Sequence, residues 1–325
     1  MTPDTDNVSY SVNKTPIGFR AIDDVSLGGT WFLPNKAGHA PAAVIIVSTG
    51  AGIPAKFYHC MATFLAEQGA AVLTFDNRGI GESLNSNIRR IQSGMESWAE
   101  FDLGAAIDEA ATKFPNTPLN VIAHSASTLF VGATPQAQSL SRLVFLGPHT
   151  GYWRDYGRRW RPVLYLTWHV FMPGMTRLFG YFPGRLLKLG ENLPPRIAFD
   201  WAGRRQPALV RTPEDDKRFT RLLSGFGNMH AETLALSVSD DAFAPPLAAH
   251  RLLAMYPGLN VTHRVTSPSS LGRRRVGHFG FLRRPTGEFF WRQAAEWLIP
   301  TFPKGTTSQF ASCRVCEELQ AVKKE

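Results

Sequence analysis

Runs of apolar residues alternate with amphipathic stretches through the first 75 positions of the chain. Residues 42–48 and 71–75 are apolar at nearly every position, which is typical of strands buried on both faces of a parallel sheet. Between them, residues 55–68 carry apolar side chains at helical spacing. Before them, residues 18–33 predict a β-hairpin that turns at Asp23-Asp24. This order predicts the beginning of a sheet that is covered by helices.

The same alternation continues to the end of the chain, with one interruption. An amphipathic helix is predicted over residues 98–113, and the apolar run from Leu119 to Ile122 predicts the next strand. Because strands and helices follow one another in turn, the pattern predicts an α/β protein with a mostly parallel, doubly wound sheet. Further strands are predicted at residues 143–146, 233–238 and 260–265, and further helices at residues 246–255 and 286–298.

Residues 150–229 interrupt the alternation. Aromatic side chains crowd the first part of this stretch among arginines, and Pro-Gly and Pro-Pro pairs break its apolar pieces. Since ligands bind beyond the carboxyl ends of parallel strands, we expect a helical cap inserted over that edge. Arginine beside aromatic rings also suits nucleic-acid bases, but the flanking core strands favour the cap, and no nucleic-acid partner is expected. The predicted organisation is a core of residues 1–149 and 230–300, a cap of residues 150–229 and a flexible tail of residues 301–325.

Composition indicates a globular chain without identifying a partner. The 325 residues are 44% hydrophobic and 19% charged, and the formal net charge of +9 is basic but unspecific. The polar start predicts no signal peptide, and the apolar run at residues 163–172 is too short to span a bilayer. Three cysteines are too few for a disulfide framework and suit a reducing compartment. We therefore expect a cytoplasmic protein without a transmembrane segment.

A serine lies where a predicted strand turns sharply into a predicted helix. Ser125 follows the apolar run that ends at Ile122, and a helix-compatible run begins at Ser127. Such a turn exposes the serine hydroxyl, and the residues two before and two after it must be small because they approach the strand and the helix. Here they are Ala123 and Ser127, where glycine is usual. A strand end with an N-capping serine is the alternative interpretation.

Three motifs in a fixed order resemble the α/β-hydrolase superfamily. They are the small-residue loop Thr49-Gly50-Ala51-Gly52, the turn Asp76-x-Arg-Gly-x-Gly-x-Ser83 and the turn at Ser125. Within the superfamily, the chain is similar over about residues 20–300 to bacterial hydrolases grouped near serine aminopeptidases and lysophospholipases. The resemblance implies the α/β-hydrolase fold with an inserted cap. Family members often have His-Gly in the first loop and two glycines around the serine, so a non-catalytic relative that binds a ligand or a partner stays an alternative.

The resemblance also implies a catalytic triad in the chain order serine, acid, histidine. Ser125 is then the nucleophile, and the acid lies in a loop after a late strand, where Asp240 and Asp241 compete. Asp241 lies four residues before Pro245 and fits the family pattern better. His278, in the loop after the last predicted strand, is the expected base.

Other polar residues are expected to be structural. His149, His230, His250 and His263 fall at predicted strand or helix positions. Asp76 and Arg78 lie at a strand end beside two glycines, and we expect them to fix that turn. Asp102 and Asp108 are expected to be solvated on a helix face.

The chemistry expected of this set of residues proceeds through an acyl-enzyme. His278 would take the Ser125 proton, and Asp241 would orient the imidazole. The backbone N–H groups of Ala51 and Ala126 are the candidates for binding the oxyanion. Hydrolysis of an ester, thioester or amide and transfer of the acyl group to an alcohol both fit this scheme.

The expected partner is a small acyl substrate, with no metal or organic cofactor. Cys313 and Cys316 form a C-x-x-C pair in the predicted tail, but a zinc site needs two more ligands and no second pair exists. The cap aromatics predict a mostly apolar pocket above Ser125, with the cap arginines at its rim because an unpaired charge is costly to bury. Such a pocket favours a carboxylic ester with a medium-length acyl chain.

Overall fold

Eight strands form one sheet in a computed structural model that describes residues 10–35, 40–203 and 225–302. The strand order is β1-β2-β4-β3-β5-β6-β7-β8. The predicted tail from residue 303 onward, with its C-x-x-C pair, lies outside the described residues. The strands are β1 Val12–Arg20, β2 Ser26–Pro34, β3 Ala43–Ser48, β4 Ala70–Phe75, β5 Leu119–His124, β6 Arg142–Leu146, β7 Glu232–Val238 and β8 Asn260–Thr266.

The sheet is mostly parallel. β1 pairs with β2 and β2 with β4 in antiparallel register, whereas every pairing from β4 through β3, β5, β6 and β7 to β8 is parallel. All residues of β3, β4 and β5 are buried, as strands covered on both faces must be. The predicted doubly wound α/β fold is thus confirmed.

Helices cover both faces of the sheet and hold two apolar cores. Val44 and Ile46 of β3 belong to one core, and Ile45 and Val47 belong to the other, because successive strand side chains point to opposite faces. The α-helices are α1 His59–Glu67, α2 Met95–Ser97, α3 Gly104–Lys113, α4 Ser127–Gly132, α5 Arg161–Leu166, α6 Met172–Phe179, α7 Pro195–Gly203, α8 Pro246–Leu253 and α9 Thr286–Leu298.

Two of the predicted helices are less regular than their periodicity indicates. A 3-10 turn at Ala55–Tyr58 precedes α1, and a π-helical turn at Trp98–Leu103 joins α2 to α3. A second π-helical turn, Thr167–Phe171, joins α5 to α6, so that residues 161–179 form one continuous helical rod. None of the helices in the described ranges is long and apolar enough to cross a membrane.

A buried ion-pair network fixes the loop after β4. The Arg78 Nε donates to Asp102 Oδ1 at 2.6 Å, and its Nη atoms donate to the carboxylate of Asp23. The Asp76 carboxylate accepts hydrogen bonds from the N–H groups of Ala55 and Glu82. The expectation that Asp102 is solvated is therefore wrong: its side chain is fully buried, and the arginine compensates its charge.

The cysteine argument also needs correction. Cys60 on α1 is disulfide-bonded. The small number of cysteines therefore gives no support to a reducing compartment.

An insertion separates β6 from β7 and contains α5, α6 and α7. It contacts the small-residue loop after β3, where the Glu191 N–H donates to the Gly52 carbonyl at 3.0 Å. Leu193 packs against the same glycine. The insertion thus reaches the carboxyl edge of the parallel strands, the edge at which such sheets bind ligands.

Candidate active site

Ser125 occupies a strained turn between β5 and α4. Its φ angle is +62°, a left-handed conformation that costs a non-glycine residue about 1–3 kcal/mol and is common at functional sites. The Ser125 N–H donates to the Leu146 carbonyl of β6 at 2.9 Å, and its carbonyl accepts a hydrogen bond from Thr128 Oγ1. These contacts hold the backbone while the side chain faces the end of the sheet.

The residues that replace glycine in this turn are accommodated by specific contacts. Ala123 belongs to β5 and pairs with Ser48 and Phe145 of the neighbouring strands. Ser127 Oγ lies 2.8 Å from the Ser48 carbonyl oxygen and accepts a hydrogen bond from the His124 N–H at 2.9 Å. The Ser127 hydroxyl therefore ties α4 to β3, and the turn keeps its shape without either glycine.

His278 lies between the serine and an aspartate. Its Nε2 is 2.8 Å from Ser125 Oγ, and its Nδ1 is 2.8 Å from Asp241 Oδ2. All three residues are buried, with exposed fractions between 3% and 8%. The three follow the carboxyl ends of β5, β7 and β8, so the sheet topology brings together residues that are up to 153 positions apart.

The two adjacent aspartates have different partners. Asp241 contacts the imidazole, whereas the Asp240 carboxylate accepts hydrogen bonds from the N–H groups of Val276 and Gly277 at 2.9 and 3.0 Å. Burial alone would raise the pKa of Asp241, but the hydrogen bond and charge of His278 outweigh it and lower the pKa. Asp241 is thus held as a carboxylate, and Asp240 anchors the loop that carries the histidine.

A second imidazole contacts the hydroxyl of Ser125. His149 Nε2 is 3.0 Å from Ser125 Oγ, and the His149 side chain is buried in the loop that follows β6. Its ring also packs edge-on against Trp201 of α7, with centroids 6.2 Å apart. The prediction that His149 lies within a strand or a helix is therefore wrong, since the residue lies in a loop. A sequence signal for His149 does exist: the residue comes just after β6, the strand that lies next to β5.

A buried network connects the loop after β3 to the catalytic loops. Tyr58 OH accepts a hydrogen bond from the Gly50 N–H and donates to His124 Nδ1, both at 2.8 Å. Burial and the neighbouring His278 lower the pKa of His124 well below its ordinary value, so the ring is neutral. Its remaining proton is then on Nε2, which lies 3.4 Å from the His278 carbonyl oxygen.

Two backbone N–H groups beside Ser125 have no recorded acceptor in the part of the chain that the structure describes. The Gly50 loop lies against the serine, since a Cβ at Gly50 would be 3.2 Å from Ser125 Cβ. Within the described residues, neither the N–H of Ala51 nor that of Ala126 donates to another group. Both belong to the two segments that meet at Ser125, as oxyanion donors must.

A cavity of about 430 Å³ opens beside His278. Its lining combines apolar side chains, including Phe243 and Phe279, with Arg275 and Arg283, and all of these come from the loops that carry the aspartate and the histidine. The aromatic residues of the insertion are not among its lining residues. In the described ranges no group of three or more His, Cys, Asp or Glu side chains is arranged to hold a metal ion.

The chain matches known proteins in family and in fold. The family model described as serine aminopeptidase, S33, matches residues 39–237. An esterase of Pyrococcus furiosus is 16% identical with a TM-score of 0.58, and the match covers 88% of this chain and 90% of that one. A monoacylglycerol lipase of Paleococcus ferrophilus is 14% identical with a TM-score of 0.51, and the match covers 89% and 98%. No curated protein matches the chain.

Proposed function

The chain belongs to the serine aminopeptidase (S33) family of α/β-hydrolases, and we propose that it hydrolyses a carboxylic ester of a hydrophobic acyl substrate. Ser125 is the nucleophile, His278 the base and Asp241 the orienting acid. The observation that carries the proposal is the continuous path of two 2.8 Å contacts from Ser125 Oγ through His278 to Asp241. This is the arrangement that a serine needs, because its hydroxyl is a weak nucleophile without an adjacent base.

The reaction begins when Ser125 Oγ attacks the ester carbonyl. His278 Nε2 takes the hydroxyl proton, and Asp241 stabilises the imidazolium that forms. The carbonyl oxygen becomes negative and is bound by the N–H groups of Ala51 and Ala126, each worth roughly 3 kcal/mol to the transition state. The imidazolium then protonates the leaving alcohol, and water activated by the same histidine releases the acid.

His149 acts on the same oxygen as a donor. A serine hydroxyl has one proton, and His278 receives it, so the hydrogen bond between Ser125 Oγ and His149 Nε2 needs the proton on His149. That N–H holds the hydroxyl in the orientation for attack. It also stabilises the negative charge that Oγ gains as its proton moves to His278.

The leaving group and the acyl chain occupy different sides of His278. Because His278 protonates the leaving group, the cavity beside it is the place for that group, and Arg275 and Arg283 there favour an alcohol that carries an anion. Outside the lining of this cavity, Trp168 packs edge-on against Trp201 with ring centroids 5.9 Å apart, and Trp201 contacts His149. This aromatic surface of the proposed cap accommodates a hydrophobic acyl chain.

The proposal is tested with a p-nitrophenyl ester series from acetate to palmitate, measuring kcat/KM for each ester. We expect a maximum at medium chain length, and we expect the Ser125→Ala variant to hydrolyse none of the series above background. A maximum at acetate, or faster cleavage of a peptide amide, would overturn the substrate assignment. Equal activity of wild type and Ser125→Ala would overturn the mechanism.

A further inference from the structure

The helical rod at residues 161–179 presents an apolar face to solvent. One side of the rod is buried through His169, Met172 and Thr176. The other side is exposed to a degree unusual for large apolar residues, with Leu166 and Val170 each 57% exposed and Leu178 75% exposed. The exposed residues of the rod are Pro162, Val163, Leu166, Val170, Phe171, Gly174, Arg177 and Leu178.

This pattern differs from that of an ordinary surface helix. The outward face of such a helix is normally polar, whereas here Arg177 is the single charged residue among the exposed positions of the rod. Trp160, which directly precedes the rod, is also more than half exposed, as are Leu186 and Leu189 later in the same insertion. Contiguous exposed apolar area of this kind marks a surface that binds a partner or a membrane.

The segment that carries the rod is basic, although Arg185 in it pairs with Glu191, the next acidic residue along the chain. Residues 156–190 contain no aspartate or glutamate. The basic residues of this segment are Arg158, Arg159, Arg161, Arg177, Arg185 and Lys188, and all but the partly buried Arg161 are exposed. An apolar face flanked by arginines is the composition of helices that lie in the interface of an anionic bilayer.

A second copy of the chain is a less suitable occupant. Pairing the rod with its own copy would bring two uniformly basic segments together, and like charges across an interface oppose association. Lipid phosphates provide the opposite charge to the arginines, and the acyl region takes the apolar side chains.

From these observations we propose that the rod at residues 161–179 is a docking face for bilayers of anionic phospholipid. The proposal does not depend on an active triad. If the proposed function is correct, however, docking of the rod also brings the active site near the lipid. Trp168 on the same rod contacts Trp201, which contacts His149 on the nucleophile. A docked rod therefore keeps the proposed acyl-binding surface of Trp168 and Trp201 on an element that touches the lipid.

The test is sedimentation of the full chain with vesicles of phosphatidylglycerol and phosphatidylcholine in equal parts, and with vesicles of phosphatidylcholine alone. We expect binding to the mixed vesicles that is at least tenfold tighter than to phosphatidylcholine and that weakens as salt rises. The double variant Leu166→Gln/Val170→Gln should bind the mixed vesicles at least tenfold more weakly than wild type.

Matched controls separate this effect from folding and from catalysis. The double variant Ile22→Gln/Leu247→Gln changes two residues that are 87% and 51% exposed elsewhere on the molecule, and it should bind within twofold of wild type. Circular dichroism should show equal thermal unfolding for both double variants, because exposed substitutions change stability little. The Ser125→Ala variant should bind as wild type does even if no ester is hydrolysed.

Three outcomes would overturn the proposal. The first is the absence of wild-type binding to the mixed vesicles, and the second is binding that Leu166→Gln/Val170→Gln leaves unchanged. The third is a wild-type dimer in analytical ultracentrifugation that this double variant converts to monomer, since the face would then be covered by a second copy.

Discussion

Removing the Tyr58 hydroxyl should weaken both the fold and the reaction. Tyr58→Phe deletes a single oxygen from a fully buried ring. That oxygen accepts a hydrogen bond from the Gly50 N–H and donates one to His124 Nδ1. Burial raises the pKa of Tyr58, so the phenol keeps its proton and acts as a donor to His124 at every pH in ordinary use.

The size of the effect follows from the two groups left without a partner. An unsatisfied buried polar group costs about 1–3 kcal/mol, and the shape of the ring is otherwise kept. We expect the free energy of unfolding to fall by about 2–6 kcal/mol, measured by urea denaturation. We also expect kcat to fall about tenfold. Without the hydroxyl, the Gly50 loop that carries the Ala51 N–H loosens, and so does the contact between His124 and the His278 loop.

Tyr256→Phe is the matched control. Tyr256 is also buried, and its hydroxyl accepts a hydrogen bond from the Gly132 N–H and donates to the Thr128 carbonyl, so it contacts α4 but bonds neither Gly50 nor His124. This variant should lose similar stability while kcat stays within about twofold of wild type. If both variants lower kcat equally, or if Tyr58→Phe is as stable as wild type, the positioning role of the Tyr58 network is refuted.

Three further predictions concern single side chains. Asp241→Asn should lower kcat by about a thousandfold or more with little change in the fold, because the imidazole loses its orienting carboxylate. Steady-state kinetics measures kcat and circular dichroism checks the fold; a much smaller loss of kcat would contradict the role of Asp241. His149→Ala should lower kcat about 10- to 100-fold with KM nearly unchanged, and His149→Gln should recover part of the loss because its amide still donates to Ser125; equal kinetics for both variants would contradict this. Burial, followed by the charge of Lys14, lowers the pKa of His59 from 6.5 to about 4, so stability should be full above pH 6.5 and decline as the pH falls towards 4. Urea denaturation of His59→Gln should show less of that decline, and an identical pH dependence in wild type and variant would disprove the assignment.

The sheet was predictable because its signals are local. The apolar runs at residues 42–48 and 71–75 correspond to β3 and β4, since a strand buried on both faces has few polar positions. The order of strands and helices then limits the topology to a parallel, doubly wound sheet.

Long-range contacts were not predictable in the same way. The helical period around Asp102 does not reveal that Arg78, 24 positions earlier, compensates its charge. His149 follows β6 by three residues, and only the pairing of β6 with β5 brings it to Ser125. A rule that examines every polar residue just past the carboxyl ends of adjacent parallel strands would have included it.

The most direct test of the proposed mechanism is labelling with a fluorophosphonate probe followed by peptide mapping. The probe reacts with a serine only where an adjacent base activates the hydroxyl. We predict a single modified residue, Ser125, with labelling lost in Ser125→Ala and strongly reduced in His278→Ala. Labelling of Ser125→Ala at the wild-type level, or modification of a different serine, would contradict the assignment of Ser125 as the nucleophile.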